Sequence, residues 1–226
     1  INEVFDATYV YNYSGKASIY VNRLKSMGIA NCKLSSPKIP NNCKTHLKAI
    51  YFIKDIINDA RENNYNKINI IADVVLHHKN LNKIFYHISN IVKESWSMIQ
   101  YCSIDHKYKD NTIKFDWQFY LDTNDDVKGI LNANEALTHW ETSGNKVGRV
   151  PGYVVSKTKS NNTLAFALSS SIYDSLEQRL NVISNADENQ SKKMGVFEGI
   201  ESNIVIPNIF ILPQTGNAVA KSFNWY

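Results

Sequence analysis

The chain has little of what staples or punctuates a small fold: three cysteines, five prolines and nine glycines among 226 residues. Cys32, Cys43 and Cys102 form no C-x-x-C pair and leave an odd thiol however they are combined. That excludes a disulfide-bonded mini-fold and fits a reducing compartment. Long apolar runs are missing too. The longest, Ile68 to Leu76, is interrupted by Asn69 and Asp73 and falls far short of the roughly 20 residues needed to cross a bilayer. No membrane span is expected. No charge sign dominates either, because 25 basic residues against 21 acidic ones leave +4. Lys44, Lys48, Lys54, Lys79, Lys83 and Lys93 are spread along expected helices with no clustered basic face, which argues against a nucleic-acid partner. The start, INEVFDATYVYNY, lacks the basic region and unbroken apolar stretch of a secretory signal and does not begin with Met, as a piece of a longer protein would look.

What is present suits one domain with a small insertion. At 43% hydrophobic and 20% charged, the chain can bury a sizeable core. Ala7 to Tyr13 is aromatic and β-branched, which predicts a strand. Ile19, Leu24 and Met27 follow at near-helical spacing until Gly28 stops them. Pro37, Pro40, Asn41 and Asn42 mark a loop, and Leu47, Ile50, Tyr51, Lys54, Ile57 and Arg61 predict a long amphipathic helix ending near Asn63. The β-branched run Ile68 to Val75 predicts a central parallel strand covered on both faces. A helix over Leu81 to Lys93 and a strand from Trp96 to Tyr101 come next. This β-α alternation predicts a parallel sheet with helices on both sides. Lys107 to Arg149 breaks the pattern and reads as two short helices. Thr163 to Leu168 then returns to strand character and Ser169 to Ile183 is a Ser-capped helix. Ile204 to Leu212 is a last strand that Pro207 demotes towards an edge.

In an open parallel sheet, ligands bind beyond the carboxyl ends of strands, and Asp73, His77 and His78 fall there. The segment IIADVVLHH resembles the strand-end motif of glycosyltransferase family 25, the lipopolysaccharide and collagen-type sugar transferases, whose strand closes in Glu-Asp-Asp. Thr45 and His46 before LKAI resemble that family's Ser-His before a helix. WSMIQY, NTLAFALSSSIYDSL and IVIPNIFI are similar to its later strand, strand-Ser-helix and closing-strand segments. The likeness covers residues 5 to 105 and 160 to 212. It implies a GT-A-like, nucleotide-sugar transferase fold over residues 1–106 and 150–226, interrupted by a helical insertion at 107–149.

The resemblance further implies a nucleotide sugar as donor, a glycan or protein as acceptor, and a divalent cation, usually Mn²⁺, held by carboxylates against the diphosphate. Carried over, the Glu-Asp-Asp positions are Ala72, Asp73 and Val74, so Asp73 alone remains as a metal ligand. Weak or absent Mn²⁺ binding is expected. His77 and His78 offer nitrogen ligands or stand as two exposed loop residues. Asn12 matches a donor-binding position. Lys16, the one cation in the loop after the first strand, takes a phosphate or is simply solvated. His46 contacts the donor or bonds a nearby carbonyl at the helix start. Asp187 is the general-base candidate for the acceptor hydroxyl, or opens a solvated helix with Glu188. Cys43 reads as a packing residue.

Residues 115–149 resemble a short helical module of giant-virus and some bacterial surface proteins, with Trp117, Tyr120, Leu121, Val127, Leu137 and Trp140 predicted in one small core. The acids Asp122, Asp125 and Asp126 lack the Gly and Glu of an EF-hand and read as a solvated turn. Two functions are carried forward: a family 25-like sugar transferase with weakened or lost activity, and a non-catalytic relative that binds a glycan or protein or serves structurally. An intracellular location, cytoplasmic or viral-factory-like, is expected.

Overall fold

A computed structural model describes residues 4–77, 80–92, 96–101, 114–127, 129–130, 132–147, 149–158, 162–206 and 210–211. Among them is a seven-stranded sheet in the order β2-β1-β3-β7-β5-β8-β6. Its strands are β1 (Ala7–Tyr11), β2 (Cys32–Ser35), β3 (Lys67–Ala72), β5 (Met98–Gln100), β6 (Val154–Thr158), β7 (Ala165–Ser169) and β8 (Ser202–Ile206). β4 (Leu76–His77) and β9 (Phe210–Ile211) pair separately. β1 is parallel to β2 and β3, and β5 is parallel to β8, whereas β7 and β6 run against their neighbours. The fold is thus α/β, with a mostly parallel sheet flanked by helices.

Both faces of the sheet are covered, and side chains alternate between two cores as the period of two requires. Tyr9, Tyr11, Ile68, Ile70, Ala72, Phe166 and Leu168 face α2 (Thr45–Glu62) and α6 (Tyr173–Asn185). Val10, Ile71, Ile99, Ala165, Ala167 and Val205 face α1 (Ala17–Ser26) and α3 (Leu81–Ile91). The helical stripe is clearest in α2, where Ile50, Ile53, Ile56, Ile57 and Ala60 are 0–1% exposed. Burying each isoleucine contributes about 1.5–3 kcal/mol. One polar ladder crosses the α1/α3 face. Tyr101 Oη donates to Asn69 Oδ1 at 2.7 Å, and Asn69 Nδ2 lies 3.4 Å from Thr8 Oγ1. Ala165 and Ala167 lie on the same face of the intervening strand β7, and their small side chains leave room for the tyrosine ring.

The interior position of β3 and the helices opening at Thr45 and Leu81 agree with the sequence reading. Four features differ. β2 is a short strand just before the expected loop, where the sequence reading assigned no element, and β6, likewise unassigned, follows the insertion directly. β7 is antiparallel and central, because a continuous apolar run reports burial and says nothing of direction. β8 is interior, between β5 and β6. Pro207 lies outside the described residues, so its expected demotion of the strand does not touch β8.

The described part of the insertion holds α4 (Trp117–Thr123) and α5 (Ala133–His139). Asp116 caps α4 by accepting from Phe119 N at 3.0 Å, and Asn132 caps α5 by accepting from Glu135 N at 3.0 Å. Trp117 and Trp140, both half-buried, pack on one small core of Tyr120, Val127 and Ala136. Tyr120 Oη lies 2.8 Å from His139 Nδ1. The acids are exposed in the turn, as the sequence predicts, and are also paired there: Asp122 meets His87 and Asp125 meets Lys83 of α3, each at 3.1 Å, while Asp126 pairs with Arg149 within the module. Phe119 sets its ring edge to Tyr153, 5.0 Å between centroids, and to His87, 5.3 Å.

Gly144 is required by this core, since a Cβ there would fall 2.3 Å from Tyr120 Oη. Gly144→Ala is expected to destabilise the protein by about 1–3 kcal/mol, the usual cost of overpacking. Gly129→Ala, with nothing within 4 Å of its added Cβ, should leave the thermal midpoint near that of the parent. Equal midpoints for the two variants would contradict this packing.

Candidate functional site

The chain leaves β1 for β2 on one side and returns through α2 to β3 on the other, so the sheet reverses its direction of growth between β1 and β3. Open α/β sheets form their ligand crevice at such a point, beyond the carboxyl ends of the strands. Those ends are Tyr11 and Ala72. Tyr11 is buried, its ring against Phe52 at 5.1 Å and its hydroxyl donating to Thr163 O at 2.6 Å. Burial holds that phenol protonated far above its ordinary range. Residues 12–16 then turn over the crevice, with Gly15 at φ +87°, a left-handed conformation that favours glycine.

Asp73, the first residue after β3, organises this turn. Its Oδ1 accepts from Tyr13 N at 2.9 Å and Ser14 N at 2.8 Å, and its Oδ2 from Ser14 Oγ at 3.0 Å and Lys16 N at 2.8 Å. A carboxylate has about four lone-pair sites, and all four are engaged. Asp73 is 7% exposed, so these bonds act largely out of water. The backbone of Asn12, Tyr13, Ser14, Gly15 and Lys16 is held from below, and all five residues are exposed above it.

The structure brings the residues singled out in the sequence into two groups. Asn12, Lys16 and Asp73 meet at the β1/β3 crevice. Lys16 is the N-cap of α1, and it is its backbone N–H that reaches Asp73. His46 and Asp187 lie elsewhere, on either side of Ser191 where the first turn of α2 faces α7 (Glu188–Lys193), and no bond among the described residues joins their side chains. His46 Nε2 lies 3.2 Å from Ser191 Oγ, whose N–H donates to Asp187 O at 2.8 Å. Asp187 is the exposed N-cap of α7 and accepts from Gln190 N at 2.9 Å. Because α2 runs back along the sheet into β3, its first turn stands at the same rim as the crevice.

Two expectations need correcting. His77 is not an exposed loop residue: it lies in β4, 0% exposed, with its ring edge-on to Tyr20 at 5.2 Å. Pairing of β4 with β9 and the cover of α1 bury it. His78 lies outside the described residues. Cys43 is half-exposed rather than packed away, at the edge of a cavity of about 210 Å³ between the 40–44 loop, α2 and α7. Cys32 is the packed thiol, pushed up to about 11 by burial. Sequence reasoning missed Tyr13, Ser14 and Ser191, whose neutral side chains carry no spacing signal. The Ser-Gly break after an aromatic strand was the one hint at the first two.

Among the described residues, no group of three His, Cys, Asp or Glu side chains lies close enough to hold a metal ion. In comparisons with known proteins, no family model, curated protein or solved structure matches the chain.

Asp73→Ala would leave three backbone N–H groups and a serine hydroxyl without the buried acceptor that gathers them. A loss of about 3 kcal/mol in chemical denaturation is expected, since bonds to charged groups contribute about 1.5–3 kcal/mol each and are not additive. Ala72→Glu should cost about as much, because Ala72 is 0% exposed against α2 and a carboxylate there would be unpaired. Near-native midpoints for both variants would refute this account of the rim. Glu188 offers a pH test. Hydrogen bonds from Lys192 and then Lys44 hold its carboxyl at about 2, below the ordinary 4.5. A depressed carboxyl stabilises the folded state above its unfolded value, and that contribution is lost as pH falls from about 4.5 through 2. The NMR midpoint of the Glu188 carboxyl is expected to rise in Lys44→Ala and in high salt.

Proposed function

We propose that the chain is a relative of the family 25 sugar transferases that holds a nucleotide sugar against the β1–α1 turn, with transfer to a glycan or protein acceptor weak or lost. The observation that carries this reading is the complete engagement of Asp73 by four donors of that turn. A carboxylate so used shapes a binding surface, and it has no lone pair left to share with a cation. Ala72 and Val74 beside it cannot ligate. The residues at the crevice do not fit Mn²⁺.

Binding has better support. The turn presents an aromatic ring, 46% exposed at Tyr13, beside the Asn12 amide and the Lys16 side chain. An aromatic face stacks on a nucleobase whatever the base, an amide reads its edge, and an ammonium meets a phosphate as a point charge. The rigid support under the turn reduces the ordering cost of binding. The general-base role for Asp187 has less to rest on, because its carboxylate caps α7 in the other group of residues. A non-catalytic binding or structural protein is therefore the second reading, favoured by the same Asp73 geometry.

Calorimetric titration with a panel of nucleotide sugars, with and without Mn²⁺, tests both. Binding is expected to be insensitive to Mn²⁺, with hydrolysis at background. Tyr13→Ala should weaken binding about tenfold, within the roughly 1–3 kcal/mol of one stacked base. Mn²⁺-dependent transfer that Asp73→Asn abolishes in a variant still folded by circular dichroism would overturn the reading. Failure of every nucleotide sugar to bind would leave the second reading, a non-catalytic relative that binds a glycan or protein or serves structurally.

A further inference from the structure

We infer that the cavity between the 40–44 loop, α2 and α7 is a carbohydrate site that takes one neutral pyranose ring. It shares no lining residue with the β1/β3 crevice, and the inference does not depend on nucleotide-sugar binding there. The cavity measures about 210 Å³, enough for a ligand the size of a single hexose. Its lining mixes two kinds of residue. Pro40, Leu47 and Tyr51 supply apolar surface, suited to the C–H face of a sugar. Asn42, Lys44, Glu188 and Ser191 supply polar groups, and Ser191 is 4% exposed and held by His46.

Charge selects among ligands. Glu188 lines the cavity and pairs with both Lys44 and Lys192. A free anion would meet the carboxylate, and a cation would meet the ammonium of Lys44. A sugar hydroxyl is donor and acceptor at once and can bond both without parting them. Neither group is saturated by its partner, since an ammonium has three donors and a carboxylate about four lone-pair sites. The ion pair thus orients two complementary groups at the mouth of a half-apolar pocket, the combination of apolar walls and a few fixed polar groups that small-molecule sites use.

Cys43 lines the same cavity and is half-exposed, so it reports on occupancy. The test follows alkylation of Cys43 by iodoacetamide, read peptide by peptide in the mass spectrometer, in the presence of methyl glycosides of glucose, galactose, mannose and N-acetylglucosamine. At least one glycoside is expected to slow Cys43 modification severalfold and saturably, while buried Cys32 stays unmodified throughout. Amide shifts of Cys43 and Ser191 in NMR spectra give the same readout without thiol chemistry. Glu188→Gln, on an exposed residue, should keep the fold and require at least fivefold more glycoside for the same protection. Protection or amide shifts caused by inorganic phosphate and by none of the glycosides would overturn the inference. So would the absence of any effect of all four glycosides on both readouts.

Discussion

A single buried carboxylate joins the strand that ends the first half of the sheet to the turn that opens the chain. Asp73 closes β3, and its four bonds fix the path by which the chain leaves β1 for α1. Without that tie, parallel pairing of β1 with β3 would end at Tyr11 and Ala72 with a loose loop above it. Everything proposed for the crevice rests on this restraint, because an exposed aromatic ring is useful for recognition only if its backbone stays in place. In such a site the acid serves geometry, and the neighbouring residues supply the contacts.

Much of the architecture was legible from pattern alone. The runs ATYVY and INIIA are buried on both faces, and an amphipathic stripe as regular as Ile50, Ile53, Ile57 and Ala60 leaves few alternatives to a helix. Direction and order were not legible. β7 reads as any covered strand, and nothing in AFALS tells whether it lies along or against its neighbours. β2 and β6 escaped notice because strands of four or five residues with polar members hardly differ from loops. At the site, Asp73 stood out by its place at a strand end, yet its partners are mostly backbone N–H groups, which every sequence has everywhere. His46 and Asp187 stand out by analogy of position, and the contact of His46 with Ser191 across α2 and α7 depends on how two helices lie, which local sequence does not encode.

The insertion shows how a short helical module is held to a larger domain. Neither α4 nor α5 is long enough to be stable alone, and each has a side-chain cap and a share in the core around Tyr120. Its acids pair with Lys83 and His87 on α3, so the charges that might suggest a cation loop act as attachment points. The Phe119 ring between His87 and Tyr153 adds an apolar seam to the same interface.

The position of β7 has a consequence for how the molecule is assembled. β3 and β5 belong to the first hundred residues, yet each keeps an open edge until Ala165–Ser169 slides between them and Ile68 comes to face Leu168. During synthesis the trio of β1, β2 and β3 and the lone β5 therefore wait for a segment that leaves the ribosome much later. Unpaired edges invite wrong partners, and contacts so distant in sequence form slowly. The nascent chain passes through a period of exposure that the finished sheet conceals.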